Sequence, residues 1–224
     1  MSERLNKYLA FQLGVSRREA DSLIEHGHVR VNGELAILGG RFEEGEVVTV
    51  KGKPLGTEAT YEYFALNKPI GYVSSRKQQG DIPTIYSLLP EKYHHLKPVG
   101  RLDKDSSGLI LLTNDGDFAF QMTHPKFYKV KKYEVSLDHA LEPLHQQMIN
   151  DHGIQLEDGE SKLTLERTDD SREHWIVIMH EGRNRQIRRT FAALGYEVTR
   201  LHRTDFGNYT IGDMKPGEFV AVSK

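Results

Sequence analysis

The sequence predicts an α+β protein in two parts. Residues 1–57 read as a small module of two helices followed by a short antiparallel sheet. Residues 61–224 read as a larger domain with a largely antiparallel mixed sheet flanked by helices. Three observations lead there. The 224 residues suffice for a small domain plus a medium one. A stretch punctuated by Gly52, Pro54 and Gly56, from Lys51 to Thr60, has the composition of a linker. Beyond it, alternating strand patterns outnumber helical ones, which argues against a doubly wound sheet.

Taken in order, Leu5, Tyr8, Leu9 and Leu13 have the spacing of one helical face. Ser16 followed by Glu19 is a capping box that opens a second helix, with Ala20, Leu23 and Ile24 turned inward and Gly27 ending it. Val29-Arg30-Val31 is a short strand, Asn32-Gly33 a hairpin turn, and Val47 to Val50 another strand. After the linker, Tyr63 to Leu66 is a strand stopped at Asn67-Lys68-Pro69, and residues 74–82 are polar and loop-like. An apolar strand, Leu109 to Leu112, leads to a turn and a short helix over Phe118 to His124. Lys132 to Leu137 alternates as a half-buried strand, Leu141 to Ile149 is expected to be helical, and Lys162 to Glu166 and Trp175 to Met179 alternate again. Asn184 to Leu194 is the clearest helix. Ile187, Phe191 and Leu194 share one face, Arg185 and Arg189 the other, Arg188 lies between, and Gly195 caps the end. Val198 to Leu201 and Glu218 to Val222 close the domain as strands.

Composition narrows the class. Hydrophobic residues make up 38%, and no apolar run approaches the ~20 residues that span a bilayer. The N-terminal stretch is amphipathic and lacks a signal region, so a soluble cytoplasmic protein without membrane attachment is expected. With no cysteine, disulfides and thiolate metal sites are excluded. His94, His95, His124 and His139 have no ligand-pair spacing, and no glycine cluster forms a phosphate loop. Net charge is −2, which is not the overall signature of a nucleic-acid binder. The charge is uneven, however. Between His180 and Arg203 stand Arg183, Arg185, Arg188, Arg189, Arg200 and Arg203 against Glu181 and Glu197; Lys126, Lys129, Lys131 and Lys132 form a second basic cluster. Local patches of this kind serve phosphate contacts on a neutral protein.

The chain centres on Gly100 to Gly108, which runs into the apolar strand. A polar, glycine-bounded loop there sets Asp103 near Arg101 at the lip of a rigid element, where functional groups concentrate. Spacing alone does not choose between Asp103 and Asp105, and both residues also suit a solvated turn. Lys68-Pro69 either supports this loop or is a plain turn.

The small module resembles the S4-type RNA-binding domain. The residues that carry the likeness are Arg4 to Leu9, Gly14 to Ala20 and Gly27 to Gly33. The resemblance implies that its two helices bind structured RNA, through Arg4, Lys7, Arg17, Arg18 and Arg30. Charge does not decide this by itself, since the module has as many acidic as basic residues. The larger domain resembles the RsuA-like pseudouridine synthases, which act on ribosomal RNA. Its carrying motifs are Leu66 to Tyr72, Gly100 to Gly116, Lys132 to Val135 and Glu181 to Arg189. One departure is Ser106, where that group more often has threonine; the hydroxyl is kept.

The resemblance implies isomerisation of a uridine to pseudouridine with no cofactor or metal, and assigns the essential nucleophile or base to Asp103. A carboxylate suits either task. Arg188 is the candidate partner that holds Asp103 ionised and oriented; it also suits a phosphate contact, and Arg101 competes for either role. Tyr133 is expected to stack against the flipped uracil or to help move a proton, the alternative being a core tyrosine on a strand. Arg101, Arg183, Arg185 and Arg189 are expected to contact RNA. The partner is ribosomal RNA, free or in an assembling particle, with the chain a monomer. The 183–189 segment resembles the large-subunit branch of the group and tips the expectation towards large-subunit RNA, although the compact length points to small-subunit RNA. The rival reading is a non-catalytic RNA-binding assembly factor on the same scaffold, which would be expected to have lost Asp103 or its surroundings. An aspartate-dependent hydrolase lacks the further carboxylates it would need.

Overall fold

The structure, a computed structural model, describes residues 2–56, 60–76 and 80–224. Residues 57–59 of the expected linker and 77–79 of the expected polar loop lie outside the described residues. The chain divides into two compact units, Met1–Glu62 and Tyr63–Lys224.

In the first unit, α1 (Leu5–Gln12) and α2 (Arg17–Glu25) precede a sheet of β1 (Val29–Val31), β2 (Glu34–Leu35), β3 (Val48–Val50) and β4 (Lys53–Pro54), ordered β2-β1-β3-β4. Leu5, Leu9, Ala20, Ile24, Val29 and Val48 meet in its core. The capping box forms: the Glu19 amide donates to Ser16 Oγ at 3.1 Å, and the Ser16 amide donates to the Glu19 carboxylate at 2.6 Å. Asn32 and Gly33, with φ of 50° and 89°, make the β1–β2 turn. The linker begins later than composition suggests. Lys51 and Gly52, with φ of 49° and 77°, form a second two-residue turn, and Lys53–Pro54 pairs with β3. Gly52 thus serves a hairpin rather than breaking a strand, and Pro54 lies on the sheet edge that tolerates it.

The second unit contains β5 (Tyr63–Lys68), β6 (Lys97–Val99), β7 (Ser107–Thr113), α3 (Gly116–Thr123), β8 (Lys131–Leu137), α4 (Pro143–Gln147), β9 (Ile154–Leu156), β10 (Gly159–Ser161), β11 (Thr164–Arg167), β12 (His174–Met179), α5 (Gln186–Ala192), β13 (Val198–Phe206), β14 (Tyr209–Thr210) and β15 (Phe219–Ala221). Among the described residues, nine strands form one sheet. Its main order is β11-β12-β8-β13-β7-β5-β15, with β14 on β13 and β6 on β7, while β9 and β10 form a separate hairpin. All its pairings are antiparallel except β13 on β7, which makes the sheet mixed.

Three expected boundaries shift. The stretch expected to be helical over Leu141 to Ile149 is α4 followed by a single π-turn, Met148–His152. The helix expected from Asn184 starts at Gln186, because Arg185 takes a left-handed backbone (φ 48°, ψ 31°). The strand expected to end at Leu201 runs on to Phe206. Its second half, His202-Arg203-Thr204-Asp205, is polar, so hydrophobic alternation could not reveal it.

β7 explains why its sequence is continuously apolar. Ile110 and Leu112 join the core that holds Tyr133, Val135, Trp175, Ile187 and Phe191. Leu109 and Leu111 face the opposite layer with Phe118, Met122 and Phe206. A strand covered on both faces has no polar side to show. Burial of Ile187 and Phe191 contributes about 2 kcal/mol each, which seats α5 whatever its charged face does.

The parallel register sets His202 opposite Ser107 and Arg203 opposite Gly108. Gly108 has a φ of 107°, and a Cβ there would stand 2.6 Å from the Arg203 amide nitrogen and nearer still to its carbonyl oxygen. Gly108→Ala is therefore expected to lower the unfolding free energy by more than about 3 kcal/mol in a urea titration. A loss below about 1 kcal/mol would contradict this register.

Candidate active site

The loop between β6 and β7 carries both carboxylates. Asp105 receives a two-pronged contact from Arg185, with Nη1–Oδ1 at 3.0 Å and Nη2–Oδ2 at 2.9 Å. The same guanidinium stands 3.5 Å from Asp103 Oδ2. Arg188 donates from Nη2 to the Asp105 backbone carbonyl at 2.9 Å, its Nε lies 3.5 Å from Asp105 Oδ2, and its Nη1 donates to the Val198 carbonyl. Hydrogen bonding from Arg185 and the nearby charge of Arg188 hold the Asp105 carboxyl below the usual carboxylate range, against an opposing push from burial.

This corrects the expected pairing of Arg188 with Asp103. Arg185 faces Asp103, and Arg188 secures Asp105 and the start of β13. The reason is local. Arg185 sits just before α5 in a left-handed conformation, which turns its side chain back onto the loop, while Arg188 is nearly one helical turn further on.

The loop is also held from beneath. Lys68 is fully buried, and its Nζ donates to the Ser106 carbonyl at 2.7 Å and the Pro69 carbonyl at 2.9 Å. Burial pushes its amine down to about 8, although the charges of Asp103 and Asp105 pull the other way. The Gly71 amide donates to the Lys104 carbonyl at 2.7 Å. Ser74 Oγ donates to the Leu102 carbonyl at 2.9 Å and accepts from the Leu102 amide at 3.2 Å. Of the two readings of Lys68-Pro69, loop support is the one this geometry fits.

Asp103 borders a cleft of about 590 Å³. Tyr133, Ile187, Leu201 and Phe206 give it an apolar interior, with Arg101 and Asn184 among its polar lining. Tyr133 is buried on β8 beside Arg203 of β13. Arg203 is also buried; its Nε donates to the Leu109 carbonyl at 2.7 Å and its guanidinium lies 4.8 Å from the Phe206 ring centre. Lys131 lines the cleft too, and burial, helped by the charge of Arg203, pushes its amine down to about 8. A second cleft of about 620 Å³ shares Arg101, Asp103 and Arg185 and adds Ile70, Ser75 and Lys104. Arg203 stood out in the sequence only as one arginine of a basic cluster, because it lies beyond the expected end of its strand at Leu201. Lys131 was visible only as one lysine of a basic cluster.

The other arginines expected to meet RNA have different surroundings. Arg183 donates to Asp158, to the carbonyls of Gly159 and Glu160, and to Glu181. Arg189 grips the Asp158 carboxylate at 2.9 and 2.7 Å. Both tie the β9–β10 turn to the start of α5. Arg101 is exposed. In the first unit, Arg4, Arg17, Arg18 and Arg30 are exposed, Arg17 reaches Asn6 at 3.3 Å, and Lys7 pairs with Glu3 at 3.0 Å. Among the described residues, no group of three or more His, Asp or Glu side chains is placed to hold a metal ion, and no helix is long and apolar enough to cross a membrane.

The two buried lysines make stability depend on pH. Their folded values near 8 lie below the ordinary 10.5. Below about pH 8 both states are protonated and the burial penalty is complete. Above it the unfolded chain binds more protons, so stability rises with pH. Tyr63, pushed up to about 12 by burial and its bond to Asp115, opposes this only above its ordinary 10.0. Urea titrations are expected to show the unfolding free energy rising from about pH 8 to about pH 10, and Lys131→Met to remove part of the rise. A flat or falling profile would contradict the buried amines.

The chain matches known proteins in sequence and fold. The family described as RNA pseudouridylate synthase matches residues 62–193, and the S4 domain matches residues 3–55. The chain is 35% identical over 222 residues to the ribosomal large subunit pseudouridine synthase B of Bacillus subtilis, covering 96% of this chain and 90% of the relative. It is 36% identical over 223 residues to the ribosomal small subunit pseudouridine synthase A of Vibrio parahaemolyticus, covering 96% and 94%. A crystal structure of a pseudouridylate synthase superposes with a TM-score of 0.70 at 31% identity, covering 98% of this chain and 96% of that one. With its carboxylate loop at the mouth of an apolar cleft and an S4 domain ahead of it, the chain belongs to the RNA pseudouridine synthase family.

Proposed function

We propose that the chain converts a uridine of ribosomal RNA to pseudouridine, with Asp103 as the reacting carboxylate. The observation that carries this is the position of Asp103. It is part-exposed at a cleft mouth, beside the Arg185 guanidinium, on a loop fixed from beneath by Lys68. Relatives named for each ribosomal subunit support ribosomal RNA as the substrate.

The reaction balances within one nucleotide. The bond from N1 to C1′ breaks, the uracil turns, C5 bonds to C1′, C5 loses its proton and N1 gains one. Asp103 either attacks the sugar carbon or removes a sugar proton, and an ionised carboxylate serves both. Tyr133 and Ile187 offer the flat and apolar walls that an extruded base needs. Arg185 orients the carboxylate. Residues 1–57 supply RNA affinity through Arg4, Lys7, Arg17, Arg18 and Arg30, and residues 61–224 carry the chemistry.

The test uses unmodified transcripts of each ribosomal RNA, mapped by carbodiimide adducts and primer-extension stops. Wild type is expected to give a single stop on one RNA, and Asp103→Asn less than about one hundredth of its turnover. A chain of residues 61–224 is expected to melt cooperatively and bind RNA more weakly. Equal stops from Asp103→Asn would remove Asp103 from its role. Measurable binding of both RNAs without any stop would favour the assembly-factor reading.

A further inference from the structure

The segment from Phe120 to Tyr128 leaves three large aromatic side chains in water. Phe120, Phe127 and Tyr128 are 46, 37 and 75% exposed, a concentration of apolar surface that a solvated turn does not need. Phe120 and Phe127 meet edge-on, ring centres 5.8 Å apart. The Lys126 ammonium lies 5.1 and 4.7 Å from these two centres. Tyr128 holds a left-handed backbone (φ 47°, ψ 42°), where glycine would sit with less strain. Its side chain is exposed, so burial gives no reason for a tyrosine. The segment adjoins the cleft, whose lining includes Thr123 and Pro125, and Lys129 follows it in sequence.

We propose that Phe120, Phe127 and Tyr128, with Lys126, form a stacking platform for unpaired nucleotides that flank the target uridine. The proposal rests on the RNA reading above and extends it beyond the cleft. Every base has a π-face, so aromatic rings interleaved with cations grip single-stranded RNA without reading its sequence. A duplex hides those faces, so the platform favours a target with unpaired neighbours. The cationic charge over the rings complements phosphate, and continuity with the cleft puts the platform where flanking nucleotides leave it.

The test uses the full chain carrying Asp103→Asn, which keeps the RNA unreacted, and a fluorescein-labelled oligouridylate of about twelve nucleotides. Phe120→Ala and Tyr128→Gly, each added to that background, are expected to weaken anisotropy-monitored binding by about 5- to 150-fold. Binding of a blunt RNA duplex is expected to change by less than about twofold. Tyr128→Gly is expected to keep or raise the melting temperature, which separates the loss from unfolding. 5-Iodouridine placed in the oligonucleotide is expected to crosslink to the 120–128 segment. Unchanged affinity in both variants, an equal loss on the duplex, or crosslinks confined to other segments would overturn the platform. So would a wild-type chain that self-associates through this segment while the oligonucleotide binds the variants normally. Pseudouridine formation by wild type, measured in parallel, keeps the two readings apart. Turnover with unaffected variants sinks the platform alone; weakened variants without turnover sink the isomerase reading alone.

Discussion

Two carboxylates with one residue between them share one arginine, and the second unit is arranged around holding their loop in one place. Arg185 spans them, with two bonds to Asp105 and a longer contact to Asp103. The pair is nearly half exposed, where ion pairs contribute about 1 kcal/mol or less to stability. Its value is therefore positional. Asp105 occupies the guanidinium with good geometry, while Asp103 has the same positive charge nearby at 3.5 Å.

A clamp of this kind needs a rigid support, and the sheet provides it. β7 is covered on both faces by separate apolar clusters, so the strand that follows the loop cannot shift without opening two cores. Gly108 lets β13 approach closely, and that approach places Arg203 under the cleft. Lys68 closes the arrangement from below. A buried amine carries a desolvation cost, and two backbone carbonyls and the carboxylates above it offset that cost. Arg185 and Tyr128 are two non-glycine residues held in left-handed conformations. Such residues persist where surrounding structure enforces them.

Much of this was legible in the sequence because local signals agreed with the fold. The Ser16–Glu19 capping box, the Asn32-Gly33 turn and the alternation of β8 each depend on neighbours in the chain. The four motifs of the second domain identified the family and singled out Asp103, which turn chemistry alone left level with Asp105. What stayed hidden depends on tertiary contacts. The polar half of β13 is a strand only because β7 and β8 flank it. Arg185 reads as one more arginine on a basic helix until its backbone conformation is known. Arg183 and Arg189 look like phosphate contacts in sequence, yet both are engaged by Asp158, a residue on a distant hairpin that no spacing rule connects to them.

The arginine clamp works, in this reading, by positioning the loop. A double-mutant cycle of Arg185→Ala and Asp105→Asn tests it most directly. The readout is single-turnover release of tritium from C5 of labelled uridine in the RNA, alongside thermal melting. Each variant is expected to slow release with little change in melting temperature. The double variant is expected to be no slower than Arg185→Ala alone, a coupling of about 0.5–3 kcal/mol. Additive losses, or losses that track melting temperature, would contradict it.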